Sequence, residues 1–87
     1  MVGYLNTERN VVVLPEAEKE AKSLNLSCQL GRVVNGLKKR QKLKGFKKIQ
    51  PKTANTYEAR LKRKYRAFMI FEQDTPTIFK VGDHLPY

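Results

Sequence analysis

The stretch from Tyr57 to Phe71 constrains the fold most strongly, because its side chains alternate as they do in paired strands. In the first half, Tyr57, Ala59 and Leu61 alternate with Glu58, Arg60 and Lys62. Side chains alternate across a strand, so one face of this half is apolar and the other is charged. Beyond Arg66 the second half is apolar on both faces, which is typical of a central strand covered on both sides. The stretch therefore predicts two strands joined at Arg63-Lys64.

Arg66 is the exception in this pattern, because it places a guanidinium at the mouth of a buried strand. Arg60, Lys62 and Arg66 can converge on one face, and guanidinium groups match the geometry of phosphate. This arrangement predicts an anion site. Two alternatives stay open: a solvated hairpin end, or a structural ion pair of Arg60 or Arg66 with Glu72 or Asp74.

The formal net charge of +10 is distributed very unevenly along the chain. Residues 38–66 hold thirteen Lys and Arg and one acid, Glu58, whereas the rest of the chain holds five bases and seven acids. This asymmetry indicates a polyanion partner for the middle of the chain, with nucleic acid as the leading candidate. An acidic membrane is less favoured, because bulky apolar side chains are sparse among the lysines of 38–52. A purely solubilising face is the remaining alternative.

The length of 87 residues predicts a single small domain over residues 1–87. No apolar run approaches the roughly 20 residues of a membrane span. The N-terminus lacks the charged-then-apolar order of a signal peptide, so a cytoplasmic protein is expected. Cys28 is the single cysteine, which predicts neither a disulfide framework nor a metal cluster, and we expect it to pack as a small side chain. No cofactor is expected.

The secondary-structure signals predict an α+β fold in which strand and helix signals follow one another in a simple order. They are a strand at Asn10–Leu14, a helix from Pro15 to Asn25, a helix from Ser27 that continues to a stop at Gly45, a short strand at 46–49, the two hairpin strands, a turn at 73–77 that contains Pro76, and a last strand at 77–81; a further short strand is considered at 3–5. The architecture predicted is an N-terminal strand, an antiparallel helical hairpin, and then a three- to four-stranded, mainly antiparallel sheet.

Each predicted helix carries an apolar stripe. Ala17, Ala21 and Leu24 form the first stripe, and Leu26, Leu30, Val33, Val34 and Leu37 form the second. Gly31 and Gly36 weaken the second helix, and we expect them to allow close packing on the first helix or on a sheet. The sequence thus predicts that the hairpin buries one face of each helix.

Five short segments occur in a recognisable order over nearly the whole chain. They are Pro15-Glu-Ala-Glu-Lys-Glu-Ala21, Leu43-Lys-Gly45, Tyr57-Glu-Ala-Arg-Leu61, Lys64-Tyr-Arg-Ala-Phe-Met-Ile-Phe71 and Val81-Gly-Asp-His-Leu-Pro-Tyr87. Tyr65-Arg66 before an apolar strand is the most telling part, together with a valine-glycine ending that leads to a histidine and a final tyrosine. With this order and spacing the chain resembles the small toxins of the RelE/ParE superfamily, the toxin half of bacterial and archaeal toxin–antitoxin pairs.

The resemblance implies a RelE-like fold and the toxin role of a type II toxin–antitoxin system. It implies a metal-independent endoribonuclease that cleaves messenger RNA, mostly on the ribosome, and that is inhibited by a cognate antitoxin protein. Two alternatives stay open. One is a non-catalytic toxin of the same fold that binds a protein target such as DNA gyrase. The other is a basic nucleic-acid-binding module that uses residues 38–66.

The resemblance also implies a catalytic set of four residues. Arg66 matches the arginine of the tyrosine-arginine strand motif and would carry the phosphate charge, while Arg60 matches a basic position on the preceding strand. His84 matches the imidazole position of the tail, and an imidazole pKa of about 6.5 suits proton transfer near neutrality. Tyr87 would position a base by stacking or take part in proton transfer. Glu58 departs from the pattern, because it stands where ribosome-dependent members can carry a base. Two alternatives follow: Glu58 reduces the activity, or it is itself the general base.

The remaining site prediction concerns binding of the RNA backbone. The expected RNA-binding residues are Lys44, Lys47, Lys48, Lys62, Arg63 and Lys64. These side chains carry the positive charge that contacts to phosphate oxygens need. The antitoxin is expected to use an acidic segment on the same basic surface.

Overall fold

The computed structural model describes residues 9–49 and 55–83, which form two helices and one sheet. The elements are β1 (Val12–Val13), α1 (Pro15–Ser23), α2 (Ser27–Lys38), β2 (Lys47–Lys48), β3 (Thr56–Lys62), β4 (Tyr65–Glu72) and β5 (Thr75–Gly82). The strand order is β1-β5-β4-β3-β2; β1 runs parallel to β5, and the other pairs are antiparallel. The predicted α+β class is confirmed. The sheet is larger than predicted, because the N-terminal strand joins it as a fifth strand.

The helical hairpin packs on one face of the sheet, and the core lies between these two layers. Its buried members are Ala17, Ala21, Leu26, Leu30, Val33, Leu37, Ala59, Ala67, Met69, Ile78 and Val81. They include the inward residues of β3, β4 and β5 and the predicted helix stripes except Leu24, which is exposed, and Val34, which is half-buried. Burial of this apolar surface is the main force that holds the helices on the sheet. No helix within the described ranges is long and apolar enough to cross a membrane.

The first helix ends at a residue in the left-handed conformation. Asn25 has a φ of 63° and its amide donates to the carbonyl of Lys22, while the Leu26 amide donates to Ala21. These two bonds satisfy carbonyls at the helix end that would otherwise lack partners, and asparagine tolerates the conformation better than most residues. α1 itself ends at Ser23, two residues before the predicted end, and Asn25 is the left-handed residue that terminates it. Leu26, and not Ser27, is the residue that precedes the first turn of α2.

The second helix ends earlier than predicted, and the expected continuation to Gly45 is wrong. α2 stops at Lys38 because Arg40 adopts a φ of 57° and the Gln41 amide donates back to Gly36. A left-handed arginine costs on the order of 1 kcal/mol. Its guanidinium is held across the fold by hydrogen bonds to Asp74 in the β4–β5 turn, and this contact lowers the pKa of the Asp74 carboxyl. A tertiary contact thus helps to fix the helix end.

The two glycines of α2 have different surroundings. A Cβ built on Gly36 would lie 2.5 Å from Leu43 Cδ2, so this glycine lets the loop after α2 fold back onto the helix. A Cβ on Gly31 would meet no atom within 4 Å. The prediction that both glycines allow close packing on the first helix or the sheet is therefore wrong, since Gly36 accommodates Leu43 and Gly31 faces open space.

The hairpin strands and the last strand follow the sequence pattern with two differences. β3 and β4 are joined at Arg63-Lys64 as predicted, and β4 is a central strand. Ile70 of β4 is 41% exposed, so β4 is not covered on both faces at this residue. The predicted turn position of Pro76 is wrong, because Pro76 lies inside β5. There it is opposed to Phe71 of β4, and the next residue, Thr77, is the first that pairs with β1.

The half-buried carboxylate of Glu20 links α1 to β5. Glu20 Oε1 accepts a hydrogen bond from the Val81 amide at 2.9 Å, and Glu20 Oε2 accepts one from Lys80 Nζ at 2.9 Å. Burial alone would raise the pKa of Glu20, but the hydrogen bonds from Val81 and Lys80 outweigh it and bring the pKa below its ordinary value of 4.5. The carboxylate form therefore stabilises the folded state.

We predict that Glu20→Gln lowers the free energy of unfolding by about 1 kcal/mol at pH 7. The glutamine amide is neutral and has one acceptor oxygen, so it cannot replace both charge-assisted hydrogen bonds of the carboxylate. A carboxyl whose pKa is lower in the folded than in the unfolded state stabilises the fold at pH values above its unfolded pKa. This contribution is lost as the pH falls through the folded pKa. The difference from the unmodified chain should therefore narrow below pH 4.5. Urea unfolding at pH 7 and at about pH 3 measures both.

Glu16→Gln is the matched control, since Glu16 is an exposed acid on the same helix. It should change stability less than Glu20→Gln at pH 7. A Glu20→Gln protein as stable as the unmodified chain at pH 7 would contradict this role of the carboxylate, and so would a deficit of the same size at both pH values.

Candidate active site

Arg60 and Arg66 occupy directly opposed positions on β3 and β4. Their neighbours Ala59 and Ala67 are also opposed, and both are fully buried in the core beneath the helices. Because successive side chains of a strand alternate between faces, the two guanidinium groups project from the face away from the helices. We call this the outer face. The sequence predicts that these two residues share one face, as the structure shows. Their catalytic roles stay predictions.

Glu58 is the buried acid of the outer face. Its Oε2 lies 3.3 Å from Arg66 Nε and 3.8 Å from Lys47 Nζ, and its side chain is only 9% exposed. Arg66 therefore forms an ion pair, as one alternative predicts, but its partner is Glu58 and not Glu72 or Asp74. Asp74 pairs instead with Arg9 and Arg40.

The position of Glu58 follows from the charges around it. Like charges on directly opposed residues of neighbouring strands repel each other, so Arg60 and Arg66 would destabilise the β3–β4 pair without an anion nearby. A carboxylate as buried as that of Glu58 needs cations in turn, and Arg66 and Lys47 supply them. The outer face therefore holds an anion among cations, and a second anion such as a phosphate has the same cations to bind.

The loop before β2 runs alongside β3 at Arg60. The Arg60 amide donates to the Lys44 carbonyl at 3.0 Å, and a Cβ built on Gly45 would lie 3.0 Å from the Arg60 Cβ. Gly45 also has a φ of 67°, which disfavours residues with a side chain. From its place in the sequence, Gly45 is predicted to stop a helix. The structure shows instead that it lets the basic loop approach Arg60.

The start of the C-terminal tail lies beside Arg66. Arg66 Nη1 donates to the Asp83 carbonyl at 3.3 Å, and the Lys64 Nζ lies 4.0 Å from Asp83 Oδ2. Gly82 is opposed to Arg66 on β5 and adds no side chain to that row. Asp83 immediately precedes His84 in the sequence. His84 and Tyr87, and the strand considered at 3–5, lie outside the described residues, so their predicted places and roles stay predictions.

The predicted RNA-binding residues fall into two sets. Lys44 and Lys47 adjoin Arg60 and Glu58, while Lys62, Arg63 and Lys64 lie exposed at or beside the β3–β4 turn. Lys48 faces the other way, because it is opposed to Tyr57 and its Nζ lies 5.9 Å from the centre of the Tyr57 ring. Of this predicted set, the side chain of Lys47 therefore lies in the charged group around Arg66, whereas Lys48 faces away from it.

Sequence reasoning missed an aromatic cluster at the β2 edge. The rings of Phe46, Tyr57 and Phe71 contact one another, and the Arg9 guanidinium lies 5.1 Å from the centre of the Phe71 ring. A phenylalanine set among four lysines in residues 42–48 was the signal that could have found it. Aromatic residues interleaved with bases are typical of surfaces that bind single-stranded nucleic acid.

Two other observations bear on alternative sites. A surface groove of about 990 Å³ runs along α1 and α2 and includes the exposed Cys28, so the expectation that Cys28 packs inside is wrong. Among residues 9–49 and 55–83, no group of three His, Cys, Asp or Glu side chains is arranged to hold a metal ion.

Comparison with known proteins identifies the fold. No family model and no curated protein sequence matches the chain. Among solved structures, a YoeB dimer from Staphylococcus aureus matches with a TM-score of 0.72 and 12% identity, over 90% of this chain and 99% of that chain. A YoeB/ParE toxin from Agrobacterium tumefaciens matches with a TM-score of 0.70 and 8% identity, over 88% and 100%.

A third match comes from a complex. A chain of the toxin–antitoxin complex RelBE2 from Mycobacterium tuberculosis has a TM-score of 0.65 and 19% identity, over 85% of this chain and 95% of that chain. At these identities the similarity establishes the fold. The chain has the fold of the RelE/ParE toxins, as the order of its segments indicated.

We predict that Glu58→Gln tightens binding of inorganic polyphosphate by about fivefold at low salt, because the carboxylate no longer competes for Arg66 and Lys47. Isothermal titration calorimetry measures the affinity, and circular dichroism checks that the variant is folded. Glu72→Gln is the control, since it removes the same charge from an exposed position of β4. Equal gains in both variants would show a net-charge effect and would contradict a specific competition at Arg66.

Proposed function

We propose that this chain, as a single domain over residues 1–87, is the toxin of a type II toxin–antitoxin pair and an endoribonuclease that cleaves messenger RNA on the ribosome. The observation that carries the proposal is the opposed pair Arg60 and Arg66, with Glu58 between Arg66 and Lys47, on the face away from the helices. The toxin fold supports it, since the matched structures include YoeB and RelBE2 chains.

Arg66 is proposed to stabilise the phosphate as its negative charge increases. In RNA cleavage the 2′-oxygen attacks the adjacent phosphorus, and a pentavalent phosphate forms before the bond to the 5′-oxygen breaks. A guanidinium stays cationic throughout and has five N–H donors, more than the contacts to Glu58 and Asp83 use. Arg60, on the opposed position, would add a second cation to the same phosphate.

Two proton transfers complete the reaction. The 2′-hydroxyl loses a proton as it attacks, and the 5′-oxygen gains one as it leaves, so the products are a 2′,3′-cyclic phosphate and a 5′-hydroxyl. His84 and Tyr87 are the proposed groups for these steps, with Tyr87 also able to stack on a base. Glu58 is the second candidate for the base, because its carboxylate already lies within the cationic group around Arg66. None of these steps calls for a metal ion.

The surrounding bases are proposed to hold the RNA backbone. Lys44 and Lys47 lie on one side of the arginine pair, and Lys62, Arg63 and Lys64 lie at the turn on the other. Backbone contacts of this kind position RNA without reading its sequence, and they weaken as salt increases. Codon choice would then come from the ribosome and from base contacts.

The proposed protein partner is a cognate antitoxin. The strongly basic middle of the chain favours an acidic segment that folds on this surface. One matched structure is a chain of a toxin–antitoxin complex, which supports a partner of this kind. We also propose a cytoplasmic location, because messenger RNA and ribosomes are there.

We predict that Arg66→Ala reduces messenger RNA cleavage at least a hundredfold, because the pentavalent phosphate loses its main cation. The assay uses purified protein with free message and with programmed ribosomes, and primer extension measures cleavage. Arg32→Ala is the matched control, since it removes an exposed guanidinium from α2. It should cleave at close to the rate of the unmodified chain.

Cleavage that survives Arg66→Ala unchanged would contradict the proposed role of Arg66. Absence of cleavage by the unmodified chain in both settings would overturn the ribonuclease proposal. The same preparation would then be tested for inhibition of DNA gyrase, and binding without cleavage would favour the plain nucleic-acid-binding module.

A further inference from the structure

Three aromatic rings form a ladder at the edge of the sheet beside β2. The rings of Phe46 and Tyr57 are stacked, with centroids 5.3 Å apart and planes 11° from parallel. Phe71 meets both rings edge-on, at 6.3 Å from Phe46 and 5.0 Å from Tyr57. Tyr57 and Phe71 pack against the hydrophobic core, which holds the ring ladder in place. Phe46 is its outermost ring.

Phe46 is exposed although it is a large apolar side chain. It is 37% exposed, and it lies on a loop immediately before a strand of two residues. One of its faces is occupied by Tyr57, so the exposure concerns its other face and its edges. A small hollow of about 220 Å³ adjoins it, lined by Arg9, Leu37, Gln41, Lys42, Leu43 and Phe46.

The rim of this hollow combines an aromatic ring with polar and cationic groups. Lys42 and Gln41 line it directly, and Lys48 approaches the ladder from the side, with its Nζ 5.9 Å from the centre of the Tyr57 ring. Residues 41–49 contain four lysines and no acid. The rim therefore offers a stacking face, an amide and phosphate-binding charge together.

We infer that this hollow is a base-binding slot for single-stranded RNA. One nucleobase stacks on the open face of Phe46, Gln41 offers its amide to the edge of the base, and the flanking phosphates lie along Lys42 and Lys48. Base stacking on an exposed aromatic ring, with a basic groove along the backbone, is how single strands are bound without strong sequence preference. The inference rests on the proposed function, because it concerns the same RNA strand.

The slot is connected to the arginine pair through its own neighbours in the chain. Gly45, one residue before Phe46, packs on Arg60, and Lys47, one residue after it, pairs with Glu58. β2 directs Lys47 to the outer face and Lys48 to the Tyr57 side. A strand whose phosphate is bound at Arg60 and Arg66 can therefore cross the β2 edge and place a nearby base on Phe46. The slot would fix the strand beside the cleavage point.

Fluorescence tests the stacking directly, since the chain has no tryptophan. Phe46→Trp introduces a single reporter in the slot, and Leu24→Trp places an equally exposed one, at 36%, at the end of α1. The probes are a six-nucleotide oligoadenylate and inorganic polyphosphate. The oligoadenylate should quench Phe46→Trp and leave Leu24→Trp unchanged, and polyphosphate should quench neither, because it has charge and no base.

Affinity gives the second measurement. Phe46→Leu keeps an apolar side chain but removes the ring, and it should weaken oligoadenylate binding about tenfold with polyphosphate binding unchanged. Phe46→Tyr keeps the ring and should bind like the unmodified chain. The slot would be overturned if Phe46→Leu lost the same affinity for oligoadenylate and for polyphosphate. It would also be overturned if oligoadenylate did not quench the fluorescence of Phe46→Trp.

The two proposals fail separately in these assays. Cleavage that depends on Arg66 without any quenching at position 46 would reject the slot and keep the ribonuclease. Quenching and ring-dependent affinity without cleavage would keep the slot and reject the ribonuclease. An unmodified chain that binds no oligoadenylate would reject the slot outright.

Discussion

The register between β3 and β4 is the constraint on which the candidate site depends. It places Arg60 opposite Arg66 and Glu58 opposite Phe68, so that two cations and one buried carboxylate share the outer face. Two opposed guanidinium groups repel each other, and the arrangement is stable because Glu58 pairs with Arg66 and Lys47. A shift of one residue would turn all these side chains toward the helices, which the burial of Ala59 and Ala67 forbids. The core thus holds the charged face in place.

On that face Arg60 is exposed and Arg66 is half-buried, whereas Phe68 is buried. Both helices pack on the opposite side, and Glu20 ties α1 to Lys80 and Val81 of β5, close to where the tail begins. The loop from α2 to β2 turns back at Arg40, runs alongside Arg60 at Gly45, and continues into the edge strand. This path brings the basic loop and the ring ladder next to the arginine pair. The result is a group of cations around Arg60 and Arg66 with an exposed aromatic ring, Phe46, beside it.

The sequence predicts those parts of this arrangement that depend on local periodicity. The hairpin joined at Arg63-Lys64 and the apolar stripes of both helices follow from strand and helix periods, and the helix end follows from Asn25. The features that it misses depend on contacts between distant residues. The early end of α2 depends on Arg40 reaching Asp74, the pairing of Glu58 depends on strand register, and the ring ladder joins residues from three segments. No local pattern contains these contacts.

The most direct test of the account is the chemistry of the RNA ends that the purified protein produces. Attack by the 2′-oxygen, with Arg66 on the phosphate and no metal in the step, predicts a 2′,3′-cyclic phosphate and a 5′-hydroxyl. Cleavage should stop when the attacking nucleotide carries a 2′-deoxy sugar. Mass spectrometry of the fragments identifies the ends. Fragments with a 5′-phosphate and a 3′-hydroxyl, or cleavage that continues at the 2′-deoxy position, would contradict the account.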